Sequence, residues 1–265
     1  MERDVSSRLE LDVSEPADLV FSLAVSSSYA PVSESITFAL DGAPLASVEI
    51  TDVHGTRLHQ VHSPVGHLVA TYNASIVGEA KPVSSDPIDL ITYRRPSRYA
   101  ESDILSPTAL AEFGATTDPA ELLTAVAAWV GTHLAYVSGS SLPTDGATRT
   151  LLARQGVCRD YAHLTIALLR ALNVPARLVS VYAPGLRPMD FHAVAEAWVE
   201  GAWHVVDATT LAPRSTLVRI ATGRDAADSA FLTVISGRVD IADMQVTAVA
   251  EQLPPDDLTH LIALR

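Results

Sequence analysis

The sequence predicts an α+β fold: an antiparallel β region followed by a core in which a buried helix packs on an antiparallel sheet. Three observations carry that expectation. The first ~80 residues alternate polar and apolar with turn residues between the runs. Beyond Asp118 the apolar spacing lengthens to a helical period. From Phe191 to Asp207 alternation returns on both sides of a single Glu200-Gly201 pair.

Composition sets the outer limits. A chain of 265 residues that is 48% apolar can build one large domain or two ordinary ones, and 18% charged residues is too few for a disordered chain. The net charge of −13 argues against nucleic acid or an anionic membrane as the main partner. One cysteine, Cys158, excludes an internal disulfide and a multi-cysteine zinc site. With no basic start followed by an apolar run and no stretch of ~18 apolar residues, the expected location is the cytoplasm.

Along the chain, residues 19–27, 36–40, 45–51, 58–62 and 68–77 read as strands. They are separated by turn chemistry such as Asp41-Gly42, His54-Gly55 and Pro64-Val65-Gly66. A β-sandwich-like domain over 1–82 is expected. Its histidines, His54, His59, His62 and His67, have no strand-compatible ligand spacing and read as exposed or half-buried strand residues, with no metal. Pro82, Pro87, Pro96 and Pro107 mark 83–107 as a connector, whose Arg94, Arg95 and Arg98 are expected to dock the domains.

A core over 108–252 follows, with a tail over 253–265. Asp118-Pro119-Ala120-Glu121 is a helix-capping signature, and Leu122, Leu123, Val126, Trp129 and Val130 then recur at helical spacing. A short helix over 147–154 stops before Gly156. The next helix opens at Cys158 and is apolar nearly all round until Asn173, so it is buried. Pro175 introduces a strand over 177–182. Later strands over 232–239 and 245–249 complete a sheet.

Cys158 therefore stands at a helix start, where unpaired N–H groups and the helix dipole favour a thiolate. Such a nucleophile needs a base. If Glu200-Gly201 is a two-residue turn, Val199 faces Ala202 and Asp207 lies opposite Val194. His192 and Asp207 then become diagonal neighbours on one face, which a one-residue change in the loop would undo. His163, five residues into the helix, lies about 140° round from Cys158. His204 has the wrong parity. The Cys158 N–H would meet an oxyanion, with Tyr136 and Gln155 as candidates for the second donor. Glu196 shares the face of His192 and is a secondary candidate through a structural hydrogen bond; Asp160, near the thiol, is another.

The runs Gly156-Val157-Cys158-Arg159-Asp160-Tyr161-Ala162-His163, Phe191-His192-Ala193 and Trp203-His204-Val205-Val206-Asp207-Ala208-Thr209 resemble the transglutaminase-like superfamily, in particular its bacterial, cysteine-protease-like members. The resemblance extends over about residues 95 to 240. It implies a papain-like core with Cys158 as nucleophile, His192 as base and Asp207 as orienting acid. Ala193 and Val194 stand where relatives commonly carry a tryptophan, which implies a more open wall beside the base. No calcium loop is recognisable.

The expected activity is cysteine-dependent acyl transfer on a peptide or protein amide through a thioacyl intermediate, resolved by water, with no cofactor. Transamidation is the alternative from the same residues, and a catalytically silent scaffold is the alternative from another class.

Overall fold

The computed structural model describes residues 1–81 and 86–265. The expected boundary at 82/83 lies outside the described residues. The first strand, β1 (Glu2–Phe21), begins far earlier than residue 19. Val5, Leu9, Leu11 and Val13 alternate inward, while the charges of Arg8, Glu10 and Asp12 that mask this pattern sit on the other parity. Four further strands follow in β2 (Ser33–Leu40), β3 (Ala43–Pro44), β4 (Val48–Thr51) and β5 (Arg57–Ser63). β6 (Gly66–Val77) completes the N-terminal set.

β5 and β6 run one after the other along the same side of β1, antiparallel to it: Phe21 pairs with His59, Val13 with Gly66, and Glu2 with Val77. The histidines of this region each have a separate acidic or hydroxyl partner: His62 with Asp18, His67 with Asp12 and Glu10, His54 with the Tyr93 hydroxyl. His59, beside Glu49 at 3.1 Å, is fully buried rather than exposed or half-buried.

Two helices occupy the stretch expected as a connector, α1 (Pro87–Thr92) and α2 (Ser102–Phe113). Asp86 caps α1 by accepting the Ile88 N–H at 2.9 Å. Pro107 lies inside α2 on an exposed position, where its missing donor is tolerated, and this proline is what hides the helix in the sequence. Arg94 binds the Asn173 carbonyl, but Arg95 and Arg98 are exposed, so domain docking falls to other arginines.

α3 (Pro119–His133) has the expected cap, Asp118 accepting the Glu121 N–H at 2.9 Å. β7 (Ala135–Tyr136), α4 (Ala147–Ala153) and β8 (Gln155–Gly156) lead into α5 (Cys158–Ala171). β9 (Ala176–Tyr182), β10 (Phe191–Val199), β11 (Ala202–Val206) and β12 (Val218–Gly223) form an antiparallel sheet in the order β11-β10-β9-β12. α5 is buried against this sheet: Leu164, Leu168 and Ala167 share a core with Ala195, Ala197 and Leu178. A short helix, α6 (Ala226–Ser229), precedes the last strand.

That last strand, β13 (Leu232–Ala250), is one continuous element rather than two, and it pairs with β1. Residues 232–250 therefore belong to the N-terminal sheet, not to the core assigned to 108–252. The two sheets also share one apolar core. Tyr182, Val218 and Ile220 pack with Leu9, Phe21 and Tyr72, and the Tyr182 hydroxyl donates to the Leu23 carbonyl and accepts from the Ser7 hydroxyl. Among the described residues no helix is long and apolar enough to cross a membrane.

A sealed charge cluster crosses the second sheet. Glu196 accepts from Arg177 at 2.9 Å and from Arg219 at 2.6 Å, and Trp203 covers the Arg177 guanidinium at 3.9 Å. All three charged side chains are buried. Burial alone would raise the Glu196 carboxyl, but the two guanidinium groups pull it down to about 2. Its contribution to stability is present above pH 4.5 and is lost as pH falls toward 2. Glu196→Ala, which leaves two buried cations unpaired, is expected to cost about 3–5 kcal/mol in urea unfolding. A loss under ~1 kcal/mol would remove this cluster as the tie between β9, β10 and β12.

Candidate functional site

The reactive end of α5 is built from its first turn. Gly156 leads in, and the Val157 N–H donates to the Asp160 carboxylate at 2.8 Å. Asp160 folds back so tightly that a Cβ on Gly156 would come within 2.6 Å of the Asp160 Cβ, so only glycine fits. The same carboxylate accepts from Ser141 at 2.9 Å, and Arg159 clasps Ser141 and the Leu142 carbonyl. Asp160, a candidate site residue from sequence, thus shapes the backbone that carries Cys158. Cys158 is partly exposed as a residue.

A two-residue parallel pairing brings a second element alongside. Ala135 pairs with Gln155 and Tyr136 with Gly156, which sets Tyr136 beside the start of α5. The Tyr136 hydroxyl lies close to Cys158, near its N–H and its thiol. Burial, followed by the charge of a neighbouring thiolate, raises this phenol to about 12, so it remains a donor at working pH. Gln155 is exposed, and its side chain makes no hydrogen bond to Cys158, His192 or Tyr136.

The hairpin has the expected register. Val199 pairs with Ala202, Trp198 with Trp203 and Ala195 with Val206, around a turn in which Glu200 and Gly201 both have positive φ, 52° and 79°. β11 ends opposite Ala195, so the first residues of β10 have a strand on one side only. Into that gap the chain turns Asp207. Its Oδ2 meets His192 Nε2 at 2.8 Å, and its Oδ1 accepts from the Thr209 N–H and hydroxyl at 2.9 and 2.7 Å. Both members of the pair are buried.

His192 Nδ1 is buried without an ordinary hydrogen bond and is the nitrogen left for the thiol. Burial alone would depress the ring, but Asp207, reinforced by Cys158, outweighs it and raises the pKa to about 10. Asp207 is correspondingly held below the usual carboxylate range, against burial, by His192 and Thr209.

The other candidates lie elsewhere. His163 is fully buried, accepts the Ala226 N–H at 3.1 Å, stacks on Tyr99, and is depressed by burial to about 3. His204 lies on the opposite parity of β11 from Trp203 and Val205. Glu196 is committed to its two arginines. Sequence reasoning missed Thr209, for which the Asp207-Ala208-Thr209 spacing is a turn signal. It also missed Ser141, for which no local signal exists. Among the described residues no cluster of three or more His, Cys, Asp and Glu side chains is placed to hold a metal ion.

A cysteine opening a buried helix, with a His–carboxylate pair at the end of an antiparallel sheet, defines a class of thiol-dependent acyl-transfer folds. Comparison with known proteins agrees. Residues 108–208, which contain all three side chains, match the transglutaminase-like superfamily. The solved structure of a candidate cysteine protease from Cytophaga hutchinsonii superposes with a TM-score of 0.87 at 32% identity, covering 97% of this chain and 93% of that one. This chain belongs to the transglutaminase-like superfamily.

An uncharacterized protein of Mycobacterium leprae is 30% identical over 130 residues, 46% of this chain and 47% of that protein. One of Mycobacterium tuberculosis is 45% identical over 62 residues, 23% of this chain and 20% of that protein. The chain thus spans less than half the length of these mycobacterial relatives.

The electrostatics give a direct test. The folded-state gain from the raised His192 pKa is complete below pH 6.5 and is lost as pH rises toward about 10. Asp207→Asn is expected to bring the His192 ring titration, followed by NMR, down from about 10 by more than one unit. An unchanged titration would mean that the carboxylate does not govern the ring.

Proposed function

We propose that the protein is a cysteine-dependent acyl-transfer enzyme that cleaves amide bonds of peptides or proteins, with water as the acceptor. The observation that carries this reading is Cys158 at the start of α5 beside a His192 ring fixed by Asp207 at 2.8 Å. The raised pKa of His192 keeps the ring protonated at neutral pH, so it can hold a thiolate as an ion pair.

The thiolate of Cys158 attacks the amide carbon, and a C–S bond forms as the carbonyl electrons move to oxygen. The Cys158 N–H and the Tyr136 hydroxyl are the donors for that oxyanion. Collapse breaks the C–N bond, and His192 gives its Nδ1 proton to the departing amine. The now neutral ring takes a proton from water, whose oxygen attacks the thioester. The C–S bond of this second adduct breaks, the carboxylic acid leaves, and thiolate and imidazolium stand again as the starting ion pair. Asp207 keeps Nε2–H oriented throughout and steadies the imidazolium. The partial exposure of Cys158 supports water as the acceptor, because the thioester is open to solvent.

Mass spectrometry of a peptide library incubated with and without an added primary amine measures both reaction and acceptor. Hydrolysed peptide that is absent with Cys158→Ala is the expected product, and predominant amine incorporation would replace hydrolysis by transamidation. Tyr136→Phe is expected to lower kcat by about 10²-fold. A change under twofold would remove Tyr136 from the oxyanion site. Alkylation of wild-type Cys158 by iodoacetamide at pH 6 is expected to exceed that of free cysteine by at least about tenfold. A rate no faster than free cysteine would favour a silent scaffold.

A further inference from the structure

A cavity of about 440 Å³ lies between α3 and the chain that follows Asp207, with Tyr136, a neighbour of Cys158, on its wall. One wall is α3, with Ala127, Ala128 and Gly131. The facing wall includes Tyr136 and Thr209, and Leu258 of the C-terminal tail lies along it. The cavity therefore shares one residue with the Cys158 N–H, through Tyr136, and another with Asp207, through Thr209.

The geometry has sequence causes. Gly131 allows α3 to approach so closely that a Cβ there would meet the Ala208 carbonyl oxygen at 2.7 Å. The alanines at 127 and 128 then leave space where longer side chains would fill it. The Leu258 carbonyl accepts from the Thr124 hydroxyl at 3.1 Å, which fastens the tail against α3.

Chemistry narrows the occupant. In a protein of net charge −13, no charged side chain lines this cavity. An ammonium group placed there would gain no carboxylate, so the lining offers a lysine side chain or polyamine nothing that water does not. A lining of alanine, leucine, tyrosine and threonine side chains suits an uncharged ring or branched chain instead. Tyr136 and Thr209 on its wall place the cavity alongside the reacting centre, where a side chain flanking the scissile amide would lie.

We propose that this groove is a specificity pocket for a substrate side chain flanking the scissile amide and takes an uncharged aromatic or branched aliphatic group. The inference rests on Cys158 being the nucleophile of the acyl transfer described above.

The sole cysteine makes the test direct, since intact-mass spectrometry reads alkylation at one site. Second-order rates are measured with iodoacetamide, its N-benzyl derivative and its N-(2-aminoethyl) derivative, each divided by the rate of the same reagent with glutathione. The thiolate forms a C–S bond and iodide leaves in every case. Wild-type protein is expected to prefer the benzyl reagent over iodoacetamide by about tenfold and to show no preference for the ammonium reagent. Ala128→Phe, at an exposed position on the groove wall, is expected to bring the benzyl preference below about twofold. Thr132→Phe fills the same groove from the neighbouring turn and gives the same result if the first variant folds poorly.

Equal normalised rates for all three reagents in the wild type would overturn the pocket, as would a benzyl preference that survives both fillings. A preference for the ammonium reagent would overturn the assigned chemistry. These ratios are read whatever the absolute rate. A slow iodoacetamide reaction therefore counts against the catalytic reading, while the ratio alone decides the pocket.

Discussion

Glu196 is sealed from water between Arg177 and Arg219, and it ties together the three strands on which everything else is hung. A carboxylate in that position cannot shift along its strand without leaving an unpaired charge in the interior, a cost far above that of misplacing one apolar residue. Arg219 carries the constraint outward. Its N–H donates to the Tyr29 hydroxyl and its carbonyl accepts the Ser26 N–H at 2.9 Å, so the N-terminal sheet is registered against the same cluster. Trp203, lying over Arg177, extends it to β11.

With β9, β10 and β12 locked, the end of β10 has a fixed place, and His192 with it. The active geometry then arises where regular structure stops. β11 ends one residue before Asp207, and the chain leaves the sheet in a turn pinned by Thr209. A residue in a strand presents its side chain perpendicular to the sheet, whereas one in such a turn can aim its carboxylate along the edge at a ring nitrogen. At the other end of the gap, Gly156 and Asp160 compress the approach to α5 so that Cys158 arrives as its first helical residue. The site is the meeting of two element ends, each fixed by a polar contact of its own.

The resulting electrostatics are one-sided. His192 is charged and Asp207 ionised over the neutral range, while His163, five residues beyond Cys158 on α5 and equally buried, is held neutral. The contrast shows that burial alone does not set the charge of an imidazole; a carboxylate hydrogen-bonded to the ring does. The same distinction separates Glu196 from Asp207. Both are buried and ionised, but Glu196 spends its oxygens on arginines whose charge is permanent, and Asp207 faces a ring whose proton can move.

Much of this was legible from residue order. The Asp118-Pro119 cap, the buried Cys158 helix and the Glu200-Gly201 turn each rest on local steric and hydrogen-bonding rules, and each lies where the sequence puts it. The parity of His192 about that turn was likewise available, because strand periodicity admits only two answers; the expected pairing of Asp207 with Val194 does not form, because β11 ends at Val206 and a turn aims the carboxylate instead. Long-range partners were not. Nothing near Leu232 announces that its strand pairs with β1, nothing near Ser141 that it holds Asp160, and nothing in Tyr136 beyond its type that it lies on Cys158. Local sequence determined the elements, the thiol at its helix start and the face that carries the histidine, since those follow from steric preference and period. The pairing of distant segments, the sealed charges and the uncharged groove beside Tyr136 were decided only in the tertiary structure, because their energy comes from groups that meet across most of the chain.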